Sequence, residues 1–167
     1  MSTLPLARLV VTTHTEDGVS VFHSDTEVQP FYPFGSKGSG FSNFYTNPQV
    51  PVSNTSIPPN RSSEVPRCPP AGVSFCVSDY PPGAKVPMHR TISQDYAVVI
   101  SGEIVLSLDG GEEKTIRAGE FIVQRGVNHA WYNRTEAPCR VMFVMAAAEQ
   151  IVLGNGVGLE ETIFGKK

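Results

Sequence analysis

Gly-Ala-Lys-Val-Pro-Met-His-Arg-Thr-Ile-Ser-Gln-Asp-Tyr-Ala-Val-Val-Ile-Ser-Gly, from Gly83 to Gly102, is the stretch whose reading decides the fold. It opens on the turn signal Pro81-Pro82-Gly83 and closes on Ser101-Gly102-Glu103. Residues two apart on a strand share a face, so His89 and Thr91 point the same way. Ile92, Ser93 and Gln94 read as a bend, after which Asp95 begins a return strand through Tyr96 to Ile100. An imidazole, a hydroxyl and a carboxylate therefore converge near one hairpin. A second imidazole follows in Gln-Arg-Gly-Val-Asn-His-Ala-Trp-Tyr-Asn, from Gln124 to Asn133, which carries His129. These two segments hold the chemistry.

Outward from them, the chain after Ala71 reads as short strands between tight turns, at 73–80, 86–92, 96–101, 104–108, 113–117, 121–124, 129–133 and 140–148. That spacing predicts an all-β sandwich or barrel. Alternation at 104–108 sets Ile104, Leu106 and Leu108 on one face, directed inward. Upstream, β-branched residues at 7–13, the turn Asp17-Gly18 and the segment 19–22 read as an N-terminal hairpin. Phe31, Tyr32 and Phe34 suit a plug over the core, the end of a barrel or a subunit interface, and 41–45 suits a short strand. The Pro-, Ser- and Asn-rich stretch 47–70 is a long loop, a lid or a disordered segment. One structural domain is expected: 1–70 completing a barrel, 71–148 its core and 149–167 a tail.

Composition narrows the class. The chain has 167 residues, 40% of them apolar and 17% charged, with 14 prolines and 15 glycines, as turn-rich β proteins do. A net charge of −3 makes no electrostatic case for nucleic acid or an anionic membrane. No apolar run reaches spanning length, and no signal peptide is evident. Cys68, Cys76 and Cys139 follow no zinc or CxxC spacing and are odd in number, so a reducing, cytoplasmic setting is expected. The Asn-x-Ser/Thr triplets at Asn54, Asn60 and Asn133 then read as chance matches.

The two segments resemble the cupin motifs. Gly83, His89, Asp95 and Gly102 match the first in spacing, with Thr91 in place of its second His and Asp95 in place of its Glu. Gly119, Gly126, His129 and Asn133 correspond to the second, with Gln124 where a Pro stands and an interval one residue shorter. More narrowly, 87–91 with 124–126 and 129–131 resembles small stand-alone cupins of bacteria and fungi, some encoded beside polyketide genes. The resemblance implies a jelly-roll β-barrel with its site inside the mouth, and a homodimer. It also implies a divalent metal, Fe, Zn, Mn or Ni, held by His89, Asp95 and His129. Two imidazoles and a carboxylate suit such ions and leave positions open. Asp95 is one methylene shorter than Glu, however, and a Thr hydroxyl is a poor ligand, so a metal-free acid/base site of the same three residues stays open.

Around them, Thr91, Tyr96, Arg125, Trp131 and Asn133 are the candidate substrate contacts. Trp131 and Asn133 share the parity of His129, Tyr96 is a proton donor if inward, and Arg125 suits an anionic group. Arg90 alternates with His89 and Thr91 and points away, toward a carboxylate; His14 and His23 read as surface or structural. The expected function is a small-molecule lyase or isomerase, decarboxylating or dehydrating a polyketide-like or keto acid substrate. The alternatives are a non-haem Fe(II) dioxygenase and a non-catalytic ligand-binding barrel.

Overall fold

The computed structural model describes residues 4–162, so the end of the expected tail, 163–167, lies outside the described residues. Among the described residues eleven strands run in chain order: β1 (Ala7–His14), β2 (Ser20–Val28), β3 (Gly40–Asn47), β4 (Val73–Tyr80), β5 (Lys85–His89), β6 (Ser93–Ser101), β7 (Glu103–Leu108), β8 (Glu113–Arg117), β9 (Phe121–Arg125), β10 (His129–Tyr132) and β11 (Cys139–Ala147). No helix occurs among the described residues. A five-stranded sheet, β3-β4-β11-β6-β9, faces a four-stranded one, β5-β10-β7-β8, while β1 and β2 form a separate hairpin. This is the expected all-β jelly roll with an N-terminal hairpin extension.

Alternation builds the space between the sheets. Val99, Ile104, Trp131, Val141 and Phe143 point inward and are at most 7% exposed. Leu106 packs against this cluster as expected, but Val105 on the opposite face of β7 is buried too. Within the five-stranded sheet, Asp79 near the end of β4 and Arg140 near the start of β11 are register partners and form a two-point ion pair at 2.6 and 2.7 Å. Both are largely buried, so each charge depends on the other. Gly102 turns β6 into β7 with φ 75°, and a Cβ there would meet the Pro138 carbonyl at 2.6 Å. Only glycine tolerates both conditions.

The bend after His89 is where the fold departs from expectation. β5 stops at His89, and Arg90 makes only an isolated bridge, to Thr162. β6 starts at Ser93, because Ser93 and Gln94 pair with Ala147 and Ala146 on β11. Asp95 is thus the third residue of a strand and not its first. β2 likewise extends beyond Phe22 to Val28. Phe31 bridges Phe41 at the start of β3, and Phe34 meets Phe41 edge-on, so the aromatic segment caps that strand. The expected 47–70 loop begins one residue later, since Asn47 ends β3, and its one described bridge is at the base, Gln49 to Ala71.

Candidate active site

Strand pairing assembles the site. β10 and β5 place His129 opposite His89, with ring centroids 4.1 Å apart at 50°. β6 and β9 place Asp95 opposite Gln124 on the facing sheet. His129 Nδ1 lies 3.0 Å from the Val127 carbonyl and His89 Nδ1 2.9 Å from that of Pro87. A carbonyl only accepts, so the Nδ1 of His129 carries its proton, while His89 has one proton to share between the carbonyls of Pro87 and His129. The Nε2 of neutral His129 is then a lone pair, and it receives the Gln124 amide nitrogen at 3.1 Å. The same nitrogen donates to Asp95 Oδ2 at 3.1 Å, while Asp95 Oδ1 accepts from Ser93 Oγ at 2.6 Å. Ser93 Oγ also touches Thr91 Oγ1 at 2.9 Å. A continuous polar line therefore runs Thr91–Ser93–Asp95–Gln124–His129.

Burial dominates the electrostatics. Desolvation, then the neighbouring His89, holds His129 down at about 4, against a smaller opposing effect of the Val127 carbonyl. Desolvation also lowers His89, opposed by the backbone carbonyls of Pro87 and His129. Asp95 is raised by the same desolvation, which outweighs the bonds from Ser93 and Gln124. Both imidazoles are neutral at pH 7.

The metal that the cupin motifs imply meets an obstacle. Among the described residues no three His, Cys, Asp or Glu side chains are grouped to hold an ion. Both Asp95 oxygens already accept bonds, and the Gln124 amide stands between Asp95 and His129. As arranged, these side chains do not fit a metal.

His89, Thr91, Asp95, His129 and Trp131 all line one cavity of about 90 Å³. Trp131 is both core and wall: 2% exposed, it meets His129, Phe143 and Tyr80 at centroid distances of 5.8, 5.9 and 6.4 Å. Three expected contacts lie elsewhere. Tyr96 neighbours Asp95 on a strand and so faces outward, 48% exposed, its hydroxyl bonded to Gln94. Arg125 follows inward-facing Gln124 and is likewise exposed, lining an outer groove instead. Asn133 is buried but spent on backbone: its amide nitrogen donates to the carbonyls of Tyr80 and Ala137, and its oxygen accepts from Thr135. Arg90 points away as expected, donating to the Gly126 carbonyl with Asp109 at 3.9 Å.

Sequence reasoning overlooked Gln124, although its alternation with Ile122 on β9 marks it as inward. The lid reading of 47–70 anticipated part of the mouth, but not which residues form it or that the tail meets them there. Val65, Pro66 and Arg67 of the long loop and Glu161 and Thr162 of the tail close the cavity, with Arg67 and Glu161 paired at 3.3 Å. Both side chains are more than a third exposed, so this clasp adds little stability. No local pattern announces a contact between residues 94 positions apart.

A double-sheet barrel with paired histidines inside its mouth defines the class. Residues 76–145 match the Cupin domain, and the chain belongs to the cupin family. It is 35% identical to Phomopsin biosynthesis cluster protein C' of Diaporthe leptostromiformis, over 91% of this chain and 88% of that protein. It is 34% identical to a cupin-domain-containing oxidoreductase of Aspergillus ruber, over 93% and 80% of the two chains. The cupin domain of Schizosaccharomyces pombe Cnp3 shares the fold, with a TM-score of 0.54 at 11% identity, covering 84% of this chain and 87% of that one. No helix among the described residues is long and apolar enough to cross a membrane.

Proposed function

We propose that this cupin is an enzyme of fungal-type secondary metabolism, a lyase or isomerase that moves a proton within its barrel cavity. The carrying observation is the pair of neutral imidazoles, His89 and His129, 4.1 Å apart in one cavity with the Asp95 carboxyl. A neutral buried imidazole accepts a proton at pH 7. In this reading His89 takes a proton from a carbon beside a carbonyl, and the Pro87 carbonyl on Nδ1 steadies the imidazolium. Asp95, whose two oxygens accept from Ser93 and Gln124, fixes the amide that faces His129. A dehydration then balances: carbon loses a proton to His89, the imidazolium passes that proton to the departing β-hydroxyl, which leaves as water, and a double bond forms. Returning the proton to a second carbon gives an isomerisation instead.

Ligand pockets commonly span ~300–1,000 Å³. A cavity of about 90 Å³ admits such a substrate only when loop and tail part, which the weak Arg67–Glu161 clasp permits. The proposal includes a second copy of the chain as partner, on the outer face of β6 and β9. There Tyr96, Ile100, Phe121 and Val123 are 48–81% exposed, an apolar patch that calls for cover.

Solvent-deuterium incorporation followed by NMR tests the chemistry, with a panel of β-hydroxy ketones and β-keto acids. Exchange or water loss by the wild type, and its disappearance in His89→Ala, is expected. The oxidoreductase names of relatives such as that of Aspergillus ruber favour a second reading, which includes a non-haem Fe(II) dioxygenase. Oxygen uptake coupled to substrate loss, without exchange, would select it.

A further inference from the structure

We infer that Gln124 is a built-in strut that takes the place of an ion, holding His129 and Asp95 together with an amide where a metal would otherwise join them. The His129 ring has two nitrogens. Its Nδ1 is committed to the Val127 carbonyl at 3.0 Å, so Nε2 has the single lone pair available to a partner. That lone pair faces the Gln124 amide nitrogen at 3.1 Å. An ion bound at Nε2 needs the same lone pair, so the ion and the amide exclude one another at this atom.

The amide is also fixed in direction. Its nitrogen satisfies two acceptors at once, His129 Nε2 and Asp95 Oδ2, each at 3.1 Å. Turned over, the oxygen would face a carboxylate oxygen and an imidazole lone pair, three acceptors with no proton among them. The side chain pays for this orientation. Gln124 is 4% exposed, and its Oε1 has no hydrogen-bond partner among the described residues. A buried amide that leaves its oxygen unmatched is held by what its nitrogen does. Ser93 completes the brace by occupying Asp95 Oδ1 at 2.6 Å, so neither carboxylate oxygen is left over for an ion.

Gln124 is thus a positioning residue: it acts through His129 and Asp95, and shortening it should open the site to metal. This inference concerns the same cavity as the proposed reaction but does not depend on the reaction class, and its readout is binding, not turnover. Protein dialysed against chelator is titrated with Zn²⁺ by calorimetry, for the wild type, Gln124→Ala and Gln124→Glu. Weak or absent binding is expected in the wild type. A gain of at least about tenfold is expected in Gln124→Ala, at one ion per chain, since two imidazoles and a carboxylate are the usual donors. The gain should be greater in Gln124→Glu, which keeps the shape and adds a ligand, and His129→Ala in either background should abolish it. A wild type that keeps one ion per chain through dialysis, or binds Zn²⁺ as tightly as both variants, overturns the inference. Gln124→Glu covers the case in which the truncated side chain unfolds the barrel, and if neither variant gains affinity the strut is refuted.

Discussion

The inner and outer faces of β6 and β9 come from the same two strands, residue by residue, yet they have opposite characters. Inward lie Asp95, Ala97, Val99, Ile122 and Gln124, all at most 9% exposed. Outward lie Tyr96, Ile100, Phe121 and Val123, at 48–81%. Two polar groups, Asp95 and Gln124, stand among apolar ones on the buried face, and four large apolar groups stand on the exposed one, neither of which burial alone selects. Buried polar groups persist when they satisfy one another, as Ser93, Asp95, His129 and the amide nitrogen of Gln124 do. Exposed apolar groups in one patch persist when something covers them. The inner face is therefore read as the reaction site and the outer as a contact surface, and each reading can be tested against the other.

The largest effect belongs inside. If the cavity moves protons, His89→Ala or His129→Ala should cost on the order of 10²–10⁴ in rate with the fold intact by circular dichroism. Full activity in both variants would move the chemistry out of the barrel.

Next in size is the acid response. His129 titrates near 4 in the fold, below the 6.5 of an unburied imidazole. As pH falls between those values the unfolded chain binds a proton that the native chain refuses, so stability falls with it. A shift of this size amounts to about 3 kcal/mol. His89, also lowered, adds to the same loss. Asp95 opposes both: its raised value makes the folded state bind a proton first, a stabilisation present at low pH and lost as pH rises past its folded value. Urea midpoints of wild type and His129→Asn between pH 7 and 4, in chelator, isolate the histidine. The variant's curve should be the flatter by up to about 3 kcal/mol; parallel curves would mean that His129 is not buried as a neutral ring.

Much of this site was legible in the residues, and what was missed has physical causes. Gly83, His89, Asp95 and Gly102 were readable because their spacing is local, but the expected hairpin does not form: β5 and β6 lie in different sheets, and His89 and Asp95 face one cavity from its two sides. Tyr96 and Arg125 were misplaced by one position. Each neighbours a site residue in sequence, and on a strand that adjacency puts it on the opposite face. Parity alone would have moved Tyr96 outward once Asp95 was taken as inward. Gln124 needed more, because its value lies in the register of β6 against β9, a non-local pairing. Asn133 shares the parity of His129, but whether a buried amide meets ligand or backbone depends on the 133–138 turn closing over it. The Arg67–Glu161 clasp depends on how two irregular segments fall across the mouth, and irregular backbone has no period to read.

The outer face should yield an effect on assembly and none on chemistry. The proposed dimer should appear in sedimentation at micromolar concentration, and Phe121→Glu, at an 81%-exposed position, should shift it to monomer. A wild-type monomer would leave the patch without the proposed partner.

The smallest expected effect is the sharpest test of the contrast between faces. Tyr96→Phe removes a hydroxyl that lies outside the barrel and bonds only to Gln94, at 2.6 Å, on the same strand. Arg125→Ala removes an exposed guanidinium from the outer groove. Substitutions of this kind usually stay within about 0.5 kcal/mol, so rate and stability should hold within a factor of about two. A strand that slips by one residue exchanges its two faces completely. Were β6 displaced in that way, Tyr96 would enter the cavity and Asp95 leave it, and Tyr96→Phe would then cost a proton donor and a large fraction of the rate. A tenfold loss in either variant, measured beside Asp95→Asn and Gln124→Ala, would therefore mean that the register of β6 on β9 is wrong. Silence at Tyr96 and Arg125, with large losses at Asp95, places the reacting face where the alternation puts it.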